Sequence, residues 1–391
     1  GGEVFVRMTG GFILYETGKY LVILFLLLGL LTGRFKQTFS IQYLLYLFLL
    51  LIGIIFTQVP EGESLRKNVL FNLSGPIVLG VSAFYFYQRP ISLKVLKDAL
   101  FFMLLPLFSM IMYLYFRTPD LREIVFQSEA NFQTSGGFGP NQVATAIGLG
   151  MFIITVFILS KYKLTGYLLL DSVFLIYFSY RGLLTFSRGG IIASFFTLIL
   201  FSIFYVIYKK ISISILFKYL AISSFFIFSI WLYTSDITGG MLNNRYTGKN
   251  AIGTQSDITT GRIDIFKVQF DNFLDNPLGI GVGNGKYERQ KKTEHVTGAS
   301  HNEVGRLLEE HGYIGLFLLI MLLTIPLFNF FRGNFLQKAF IISFYSIWFL
   351  TINHSAMRIA LPGFIYGLSL IRIEDFEAQE NTETLESIED A

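Results

Sequence analysis

Two arginines and a histidine have the side chains best suited to chemistry, and each lies where a helix is predicted to begin: Arg188, Arg262 and His301. A planar guanidinium can bind phosphate oxygens through two parallel hydrogen bonds. The free N–H groups of a helix start also attract an anion. A histidine in the first helical turn has its pKa lowered by the helix dipole, so it is neutral near pH 7 and can accept a proton. These residues predict a site that binds an anion and takes up a proton.

Arg188 lies in the segment Ser187-Arg188-Gly189-Gly190, where Ser187 is a candidate N-cap. We expect the two glycines to let a bulky ligand approach the backbone, which favours an anion site. The alternative is an arginine that only anchors the helix at the membrane interface.

Arg262 lies near the start of a predicted amphipathic helix that runs from about residue 259 to 274 and ends at Asp275-Asn276-Pro277. Its apolar positions share one face, so the helix is expected to lie on the membrane or to pack over the spans. An arginine in the first turn opposes the helix dipole, and a bound phosphate would offset that cost. A salt bridge to Asp264 or to another acidic residue of the loop is the alternative.

His301 is predicted to begin a helix, with Ser300 as N-cap and Glu303 at the capping-box spacing. We interpret His301 as a general base. A capping or packing role and zinc binding are the alternatives. His301 and His311 lack the i, i+4 spacing of a zinc-binding helix pair and the chain has no cysteine, so neither a metal nor another cofactor is predicted.

Two glycine-rich segments have simpler interpretations. Residues 278–286 do not match a nucleotide-binding loop, because Ile280 and Tyr287 stand where that motif needs Gly and Ser or Thr, so a flexible turn is predicted. Residues 135–142 predict a tight turn and then a helix that begins at Pro140. Asn141 then places an amide at the helix start, as part of a sugar-binding lip or as a plain cap.

The composition is that of a membrane protein. Of 391 residues, 53% are hydrophobic, 17% are aromatic and only 15% are charged, and the mean hydropathy is +0.56. These proportions leave too few polar side chains for a soluble surface. Without cysteine, the chain has no disulfide, thiolate nucleophile or cysteine metal site. We therefore predict an all-α polytopic membrane protein.

A bilayer core about 30 Å thick needs about 20 apolar residues per helix. This length predicts about 11 transmembrane helices, or 12 if a further span precedes residue 1. The predicted spans cover residues 12–32, 39–58, 69–87, 99–116, 140–160, 165–184, 187–208, 211–233, 312–331, 337–354 and 357–373.

Four regions follow from these spans. They are helices one to eight in residues 1–233, a large, partly helical periplasmic loop in residues 234–311, helices nine to eleven in residues 312–373, and an acidic cytoplasmic tail, predicted to be disordered, in residues 374–391. In this topology lysine dominates the short inner loops, which agrees with the positive-inside rule. Arginine dominates the short outer connections, as expected if the outer face binds an anion.

The motifs around the large loop resemble those of the O-antigen ligase and polymerase superfamily. The similar segments follow one another within residues 185–320: Phe186-Ser187-Arg188-Gly189-Gly190, Gly261-Arg262, Asp275-Asn276-Pro277-Leu278-Gly279-Ile280-Gly281, His301-Asn302 and Gly312-Tyr313-Ile314-Gly315. The resemblance implies a metal-independent glycosyltransferase of the bacterial inner membrane. Such an enzyme moves a glycan from a polyprenyl diphosphate, such as undecaprenyl diphosphate, to a hydroxyl acceptor on the periplasmic side.

The resemblance also implies roles for single residues. Arg188 and Arg262 would hold the diphosphate, and His301 would activate the acceptor. Direct attack of the acceptor would invert the anomeric centre. Five further residues are candidates for substrate contacts: Arg181, Asn141, Asn302, Arg306 and Arg358.

The expected acceptor is a lipopolysaccharide core or a similar glycolipid, because Arg188 and Arg262 can be interpreted as one anionic subsite. A polymerase that joins lipid-linked repeat units would need two such subsites and is the first alternative. A flippase for lipid-linked sugars is the alternative of another class, although the sequence shows no clear internal repeat. The expected partners are the donor, the acceptor and the lipid bilayer, and no nucleic acid.

Overall fold

The computed structural model describes residues 2–10, 16–33, 38–162, 164–259, 261–292 and 300–374. Helices dominate these residues, and their bounds are α1 (Gly2–Thr9), α2 (Thr17–Thr32), α3 (Ile41–Ile52), α4 (Leu65–Phe86), α5 (Leu93–Arg117), α6 (Pro140–Leu159), α7 (Leu168–Leu184), α8 (Arg188–Lys209), α9 (Ile213–Ile237), α10 (Met241–Thr247), α11 (Arg262–Asp275), α12 (Gly285–Lys292), α13 (Glu303–Arg332), α14 (Phe335–His354) and α15 (Ala360–Leu368). A 3-10 turn at Gln133–Ser135 and two short strands, β1 (Pro90–Ser92) and β2 (Arg372–Glu374), are also present. The predicted helical class is confirmed.

Seven of the described helices are long and apolar enough to cross a membrane: α4, α5, α6, α8, α9, α13 and α14. Every predicted span overlaps a helix, but the helices at the other four, α2, α3, α7 and α15, are shorter. The 12 residues of α3 extend over about 18 Å, against the roughly 30 Å of a bilayer core. By length and hydropathy, seven of the eleven predicted spans are supported.

Aromatic packing holds the middle of the bundle together. α8 packs against both α14 and α6. The ring of Phe152 on α6 meets Phe201 of α8 at 5.6 Å and Phe344 of α14 at 6.0 Å, both edge to face, and all three side chains are buried. Close side-chain packing of this kind holds helices together in lipid, where burial of apolar surface provides little drive. It fixes the position of α8, whose first residue is Arg188.

The segment between α9 and α13, which includes the predicted large loop, contains α10, α11 and α12. α13 begins at Glu303, earlier than the span predicted from residue 312. Gly312 has φ 58° and ψ −136°, so the helix is interrupted there. The predicted border between loop and membrane coincides with this interruption.

Two short strands, which no pattern in the sequence predicts, connect the end of the described chain to the loop after α4. β1 and β2 pair in parallel, with Ile91 opposite Ile373. Gln337 of α14 supports the pair, because its Oε1 accepts a hydrogen bond from Ile373 N (3.2 Å). Residues 375–391 of the predicted acidic tail lie outside the described residues.

Candidate active site

Arg188 is the first residue of α8, and its guanidinium donates hydrogen bonds to the backbone carbonyl groups of Arg245 (3.0 Å) and Ile258. Ser187 occupies the predicted N-cap position, but its side chain does not cap the helix. Ser187 Oγ instead donates to Asn141 Oδ1 (2.8 Å). These contacts hold Arg188 against the segment that joins α10 to α11.

The two glycines after Arg188 face neighbouring helices. A Cβ atom added at Gly189 would lie 2.5 Å from His354 Cγ, and one at Gly190 would lie 2.6 Å from Ala144 Cβ. Both distances are well inside van der Waals contact, so only glycine lets α8 approach α14 and α6 this closely. The expectation that these glycines open the backbone to a ligand is therefore wrong.

A third arginine, Arg245 of α10, lies beside the two that were predicted. Arg245 Nε donates to Phe186 O (3.2 Å) and Arg245 Nη1 donates to Ser128 O (2.9 Å). Burial, together with the nearby charges of Arg188 and Arg262, lowers the pKa of Arg245 to about 10. Three guanidinium groups thus form one cluster. Because Arg245 lies in a short helix without a motif, nothing in the sequence marks it.

Arg262 is the first residue of α11, which ends at Asp275 as predicted. The half-buried side chain of Arg262 forms no hydrogen bond or ion pair with any residue that the structure describes. Its predicted salt-bridge partner, Asp264, instead lies 3.5 Å from Lys267 Nζ. Burial and then the charge of Arg188 lower the pKa of Arg262, but a guanidinium stays charged near pH 7. No described carboxylate neutralises this charge by direct contact.

Asp257 is a carboxylate close enough to Arg188 for an electrostatic interaction, but its oxygens are already engaged. They accept hydrogen bonds from the backbone N–H groups of Gly261 (2.6 Å) and Thr259 (2.7 Å). The hydrogen bond from Gly261 is the largest cause that lowers the pKa of Asp257. Asp257 therefore holds the loop before α11 and places Arg262.

His301 lies just before α13, with Nδ1 buried and without a hydrogen-bond partner. Its backbone oxygen accepts a hydrogen bond from Ala356 N (3.0 Å). Burial lowers the pKa of His301 to about 4, and the charges of Arg358 and Arg262 act in the same direction. The imidazole is thus neutral near pH 7, as predicted. The dominant cause is burial and not the helix dipole.

The predicted cap of this helix is wrong by two residues. Asn302, not Ser300, is the N-cap of α13, and Asn302 Oδ1 accepts hydrogen bonds from Val304 N (2.9 Å) and Gly305 N (3.3 Å). Ser300 Oγ instead accepts a hydrogen bond from Gln269 Nε2 of α11 (3.0 Å). The side chain of Asn302, a candidate for substrate contact, therefore serves the helix start.

Arg358 lies beside His301, since its charge acts on the pKa of that imidazole. Arg358 Nη2 donates to Ser300 O (3.0 Å), and the guanidinium carbon lies 5.1 Å from the ring centroid of Phe71. Of the five further candidates for substrate contacts, Arg358 is thus the one placed next to the imidazole with a partly exposed cationic side chain.

Three other candidates are bound by the protein itself. Arg181 is buried and its Nη2 donates to Leu114 O, Thr118 Oγ1 and Thr134 O. Asn141 is engaged by Ser187. Arg306 is buried between two carboxylates, Glu303 and Glu310, and donates to both of them. The side chains of Arg181 and Arg306 thus stabilise the fold.

Within the described ranges, no group of three or more His, Asp or Glu side chains is arranged to hold a metal ion. The charged groups that converge near His301 are cations: Arg262 and Arg358 both act on its pKa. Such an arrangement suits a polyanion, because fixed positive charges stabilise phosphate oxygens.

The long apolar helices define a multi-pass membrane protein, with a cluster of arginines and a neutral histidine around the segment between α9 and α13. The sequence model of a family described as O-Antigen ligase matches residues 173–320. This match confirms the resemblance to the O-antigen ligase and polymerase superfamily and supports a membrane enzyme of the ligase or polymerase type. The matched range contains Arg188, Arg245, Arg262 and His301. A sequence comparison with curated proteins gave no match.

Proposed function

We propose that the protein transfers a glycan from a polyprenyl diphosphate, such as undecaprenyl diphosphate, to a hydroxyl group of a lipopolysaccharide core or a similar glycolipid. One observation carries this proposal. A neutral imidazole, His301, lies within electrostatic reach of Arg262, a cation that no described carboxylate contacts and that interacts with Arg188. A diphosphate leaving group needs the cations, and an attacking hydroxyl needs the base.

The reaction follows from these roles. His301 accepts the proton of the acceptor hydroxyl as its oxygen forms a bond to the anomeric carbon. The bond between that carbon and the diphosphate oxygen breaks, and the diphosphate leaves with the electron pair. Arg188 and Arg262 stabilise the negative charge that develops on it. Because the attack is direct, the anomeric configuration inverts.

An apolar groove suits the lipid chain of the donor. The groove has a volume of about 480 Å³ and lies between α7 and α9, where Tyr180 and Tyr233 line it. α9 also carries Trp231, whose ring centroid lies 4.9 Å from that of Tyr246, the neighbour of Arg245. A polyprenyl chain in this groove would have its diphosphate end close to the arginines.

Two products separate the ligase from the alternative, a polymerase. The purified protein would be mixed with a polyprenyl diphosphate glycan and with either a lipopolysaccharide core or a second lipid-linked repeat unit. The products would be identified by mass spectrometry. We expect a glycan-bearing core. A dimer of repeat units on the carrier lipid would show the polymerase instead, and no product with either acceptor would overturn the proposal.

We further propose that the site faces the periplasm and that the short lysine-rich loops face the cytoplasm. The chain has no cysteine, so single cysteines can report the side of the membrane. In intact spheroplasts a membrane-impermeant maleimide should label Lys267→Cys on α11, where the lysine side chain is 69% exposed. It should leave Lys94→Cys at the exposed start of α5 unlabelled until the cells are opened. The reverse pattern would invert the topology.

The low pKa of His301 gives the reaction an unusual acid tolerance. A base with a pKa of about 4 stays deprotonated, and so active, from neutral pH down to that value. With an ordinary histidine of pKa about 6.5 as the base, the deprotonated fraction, and with it the activity of the enzyme, would fall roughly tenfold by about pH 5.5. We therefore expect kcat/KM to stay nearly constant between about pH 7.5 and 5.5. A tenfold fall over that interval, in protein that remains folded by light scattering and near-UV circular dichroism, would contradict the predicted environment of His301.

A further inference from the structure

A cavity of about 300 Å³ is lined in part by Ser300, the neighbour of His301 in the chain, and the reaction above leaves this cavity without a role. Its wall includes Ser300 and Arg358, which are joined by the hydrogen bond from Arg358 Nη2 to Ser300 O (3.0 Å). Ser300 directly precedes His301, so the cavity reaches the backbone next to the imidazole. A molecule bound there would lie close to the candidate base.

Two ion pairs form the deep part of the cavity wall. Glu309 Oε1 accepts a hydrogen bond from Arg289 Nη1, and Glu310 Oε2 accepts one from Arg306 Nη1, both at 2.8 Å. All four side chains are buried. Gln269 Nε2 adds a hydrogen bond to Glu309 Oε1 (2.8 Å). Arg306 also pairs with Glu303 behind the wall, so this buried network holds two cations against three carboxylates and has no spare positive charge for a ligand.

Positive charge exceeds negative charge at the mouth of the cavity. Three cationic side chains line it, Lys67 of α4, Lys286 of α12 and Arg358, against one further acid, Glu63. Lys67 and Lys286 are exposed and make no ion pair with a residue that the structure describes. An anion at this mouth would meet cations from separate elements of the fold.

The same wall also offers groups that suit a sugar. Asn68 and Asn72 place amides in it, and Tyr287 and Phe71 add aromatic rings. Sugar-binding pockets combine hydrogen-bonding groups with apolar ring faces in this way. The cavity thus matches a saccharide that carries a negative charge better than it matches a lipid tail.

We infer that this cavity is the acceptor subsite and that it binds a saccharide bearing a phosphate or diphosphate group. The assignment of the cavity as the acceptor subsite rests on the proposed function, whereas the binding of an anionic saccharide does not. The anionic group would lie between Lys67, Lys286 and Arg358, and a hydroxyl of the sugar would point to His301. A phosphorylated core glycolipid and a second lipid diphosphate share this chemistry.

A binding experiment tests the site without turnover. The full-length protein in nanodiscs would be titrated calorimetrically with a phosphorylated trisaccharide and with the same trisaccharide after phosphatase treatment. We expect the phosphorylated probe to bind more tightly, and Lys67→Gln and Lys286→Gln each to weaken its binding at least about fivefold, since a hydrogen bond to a charged group is lost. Equal affinity of the two probes for the unaltered protein would overturn the inference.

Lys291→Gln is the matched control. Lys291 lies on α12, as Lys286 does, but it is 71% exposed, pairs with Glu288 and does not line the cavity. Its replacement should leave the affinity unchanged. If Lys291→Gln weakened binding as much as Lys286→Gln did, general surface charge would explain the result and the site would be wrong.

A transfer assay distinguishes the two sources of the anion, a phosphorylated core glycolipid and a second lipid diphosphate. It also tests the acceptor subsite separately from the proposed glycan transfer. With a lipid diphosphate donor, Lys67→Gln should raise the KM of the anionic acceptor at least about fivefold and leave the KM of the donor unchanged. The acceptor that shows this effect, phosphorylated core or second lipid diphosphate, is the occupant of the cavity. An equal rise in the donor KM would overturn the acceptor assignment. No transfer by the unaltered protein would overturn the proposed function, while the titration would still decide on the cavity.

Discussion

Replacement of His301 by alanine is expected to lower turnover by about 10²- to 10⁴-fold, the usual contribution of a general base, while donor affinity stays nearly unchanged. The imidazole contributes a proton acceptor that is neutral near pH 7 because burial lowers its pKa to about 4. His301→Gln keeps a polar side chain but accepts no proton at neutral pH, so it should be as inactive as His301→Ala. The measurement is single-turnover product formation at saturating donor, with donor binding determined on the same preparations.

Asn302→Ala is the control for this experiment. It removes the side chain that accepts hydrogen bonds from Val304 N and Gly305 N at the start of α13, which costs about 1 kcal/mol of helix stability. It should lower the melting temperature and leave turnover per folded molecule largely intact. If His301→Ala kept most of its turnover at an unchanged protein level, the general-base role would be wrong.

The lowered pKa of His301 was predictable, but the surroundings of the side chain were not. Its position in a helix-start pattern predicted a neutral imidazole, and the imidazole is neutral. The pattern misplaced the cap, because Ser300 and Asn302 are both good N-cap residues and local sequence does not choose between them. Tertiary contacts decide: Gln269 of α11 engages Ser300 and leaves Asn302 to cap α13.

The arginine cluster shows the same limit. Arg188 and Arg262 lie in motifs at predicted helix starts, whereas Arg245 is placed by hydrogen bonds to Phe186 and Ser128, which are distant in sequence. The contact of Gly189 with His354 likewise joins α8 to α14. Long-range packing of this kind leaves no periodic signal, so a single sequence cannot reveal it.

The membrane helices were predicted in position but not all in length. Hydropathy places an apolar segment correctly, since it depends on local composition. It does not show where a helix ends inside a folded bundle. α3 ends at Ile52 although the apolar segment continues to about residue 58. There Thr57 Oγ1 accepts a hydrogen bond from Val282 N (2.8 Å) in the glycine-rich loop. That loop was predicted as a flexible turn and is instead partly buried against this segment.

Replacement of Arg262 by alanine is expected to weaken binding of the lipid diphosphate donor by roughly 10- to 100-fold, the value of a charge-assisted hydrogen bond in affinity. The protein should stay folded, because the Arg262 side chain has no hydrogen-bond or ion-pair partner among the described residues. Arg262→Lys should recover only part of the affinity, since lysine keeps the charge but lacks the planar fork that binds two phosphate oxygens. Donor binding to purified protein in nanodiscs measures all three forms.

Two comparisons show whether Arg262 acts on the donor or on the fold. Lys267→Ala removes an exposed cation of the same helix that lies near Asp264, and it should leave donor affinity unchanged. Arg188→Ala should weaken donor binding as well, but it also removes the hydrogen bonds to Arg245 O and Ile258 O, so its melting temperature should fall. Arg262→Ala should therefore be the variant that loses affinity at full stability. If Arg262→Ala bound the donor as tightly as the unaltered protein does, the guanidinium of Arg262 would not bind the diphosphate. The main support for a diphosphate site would then be lost.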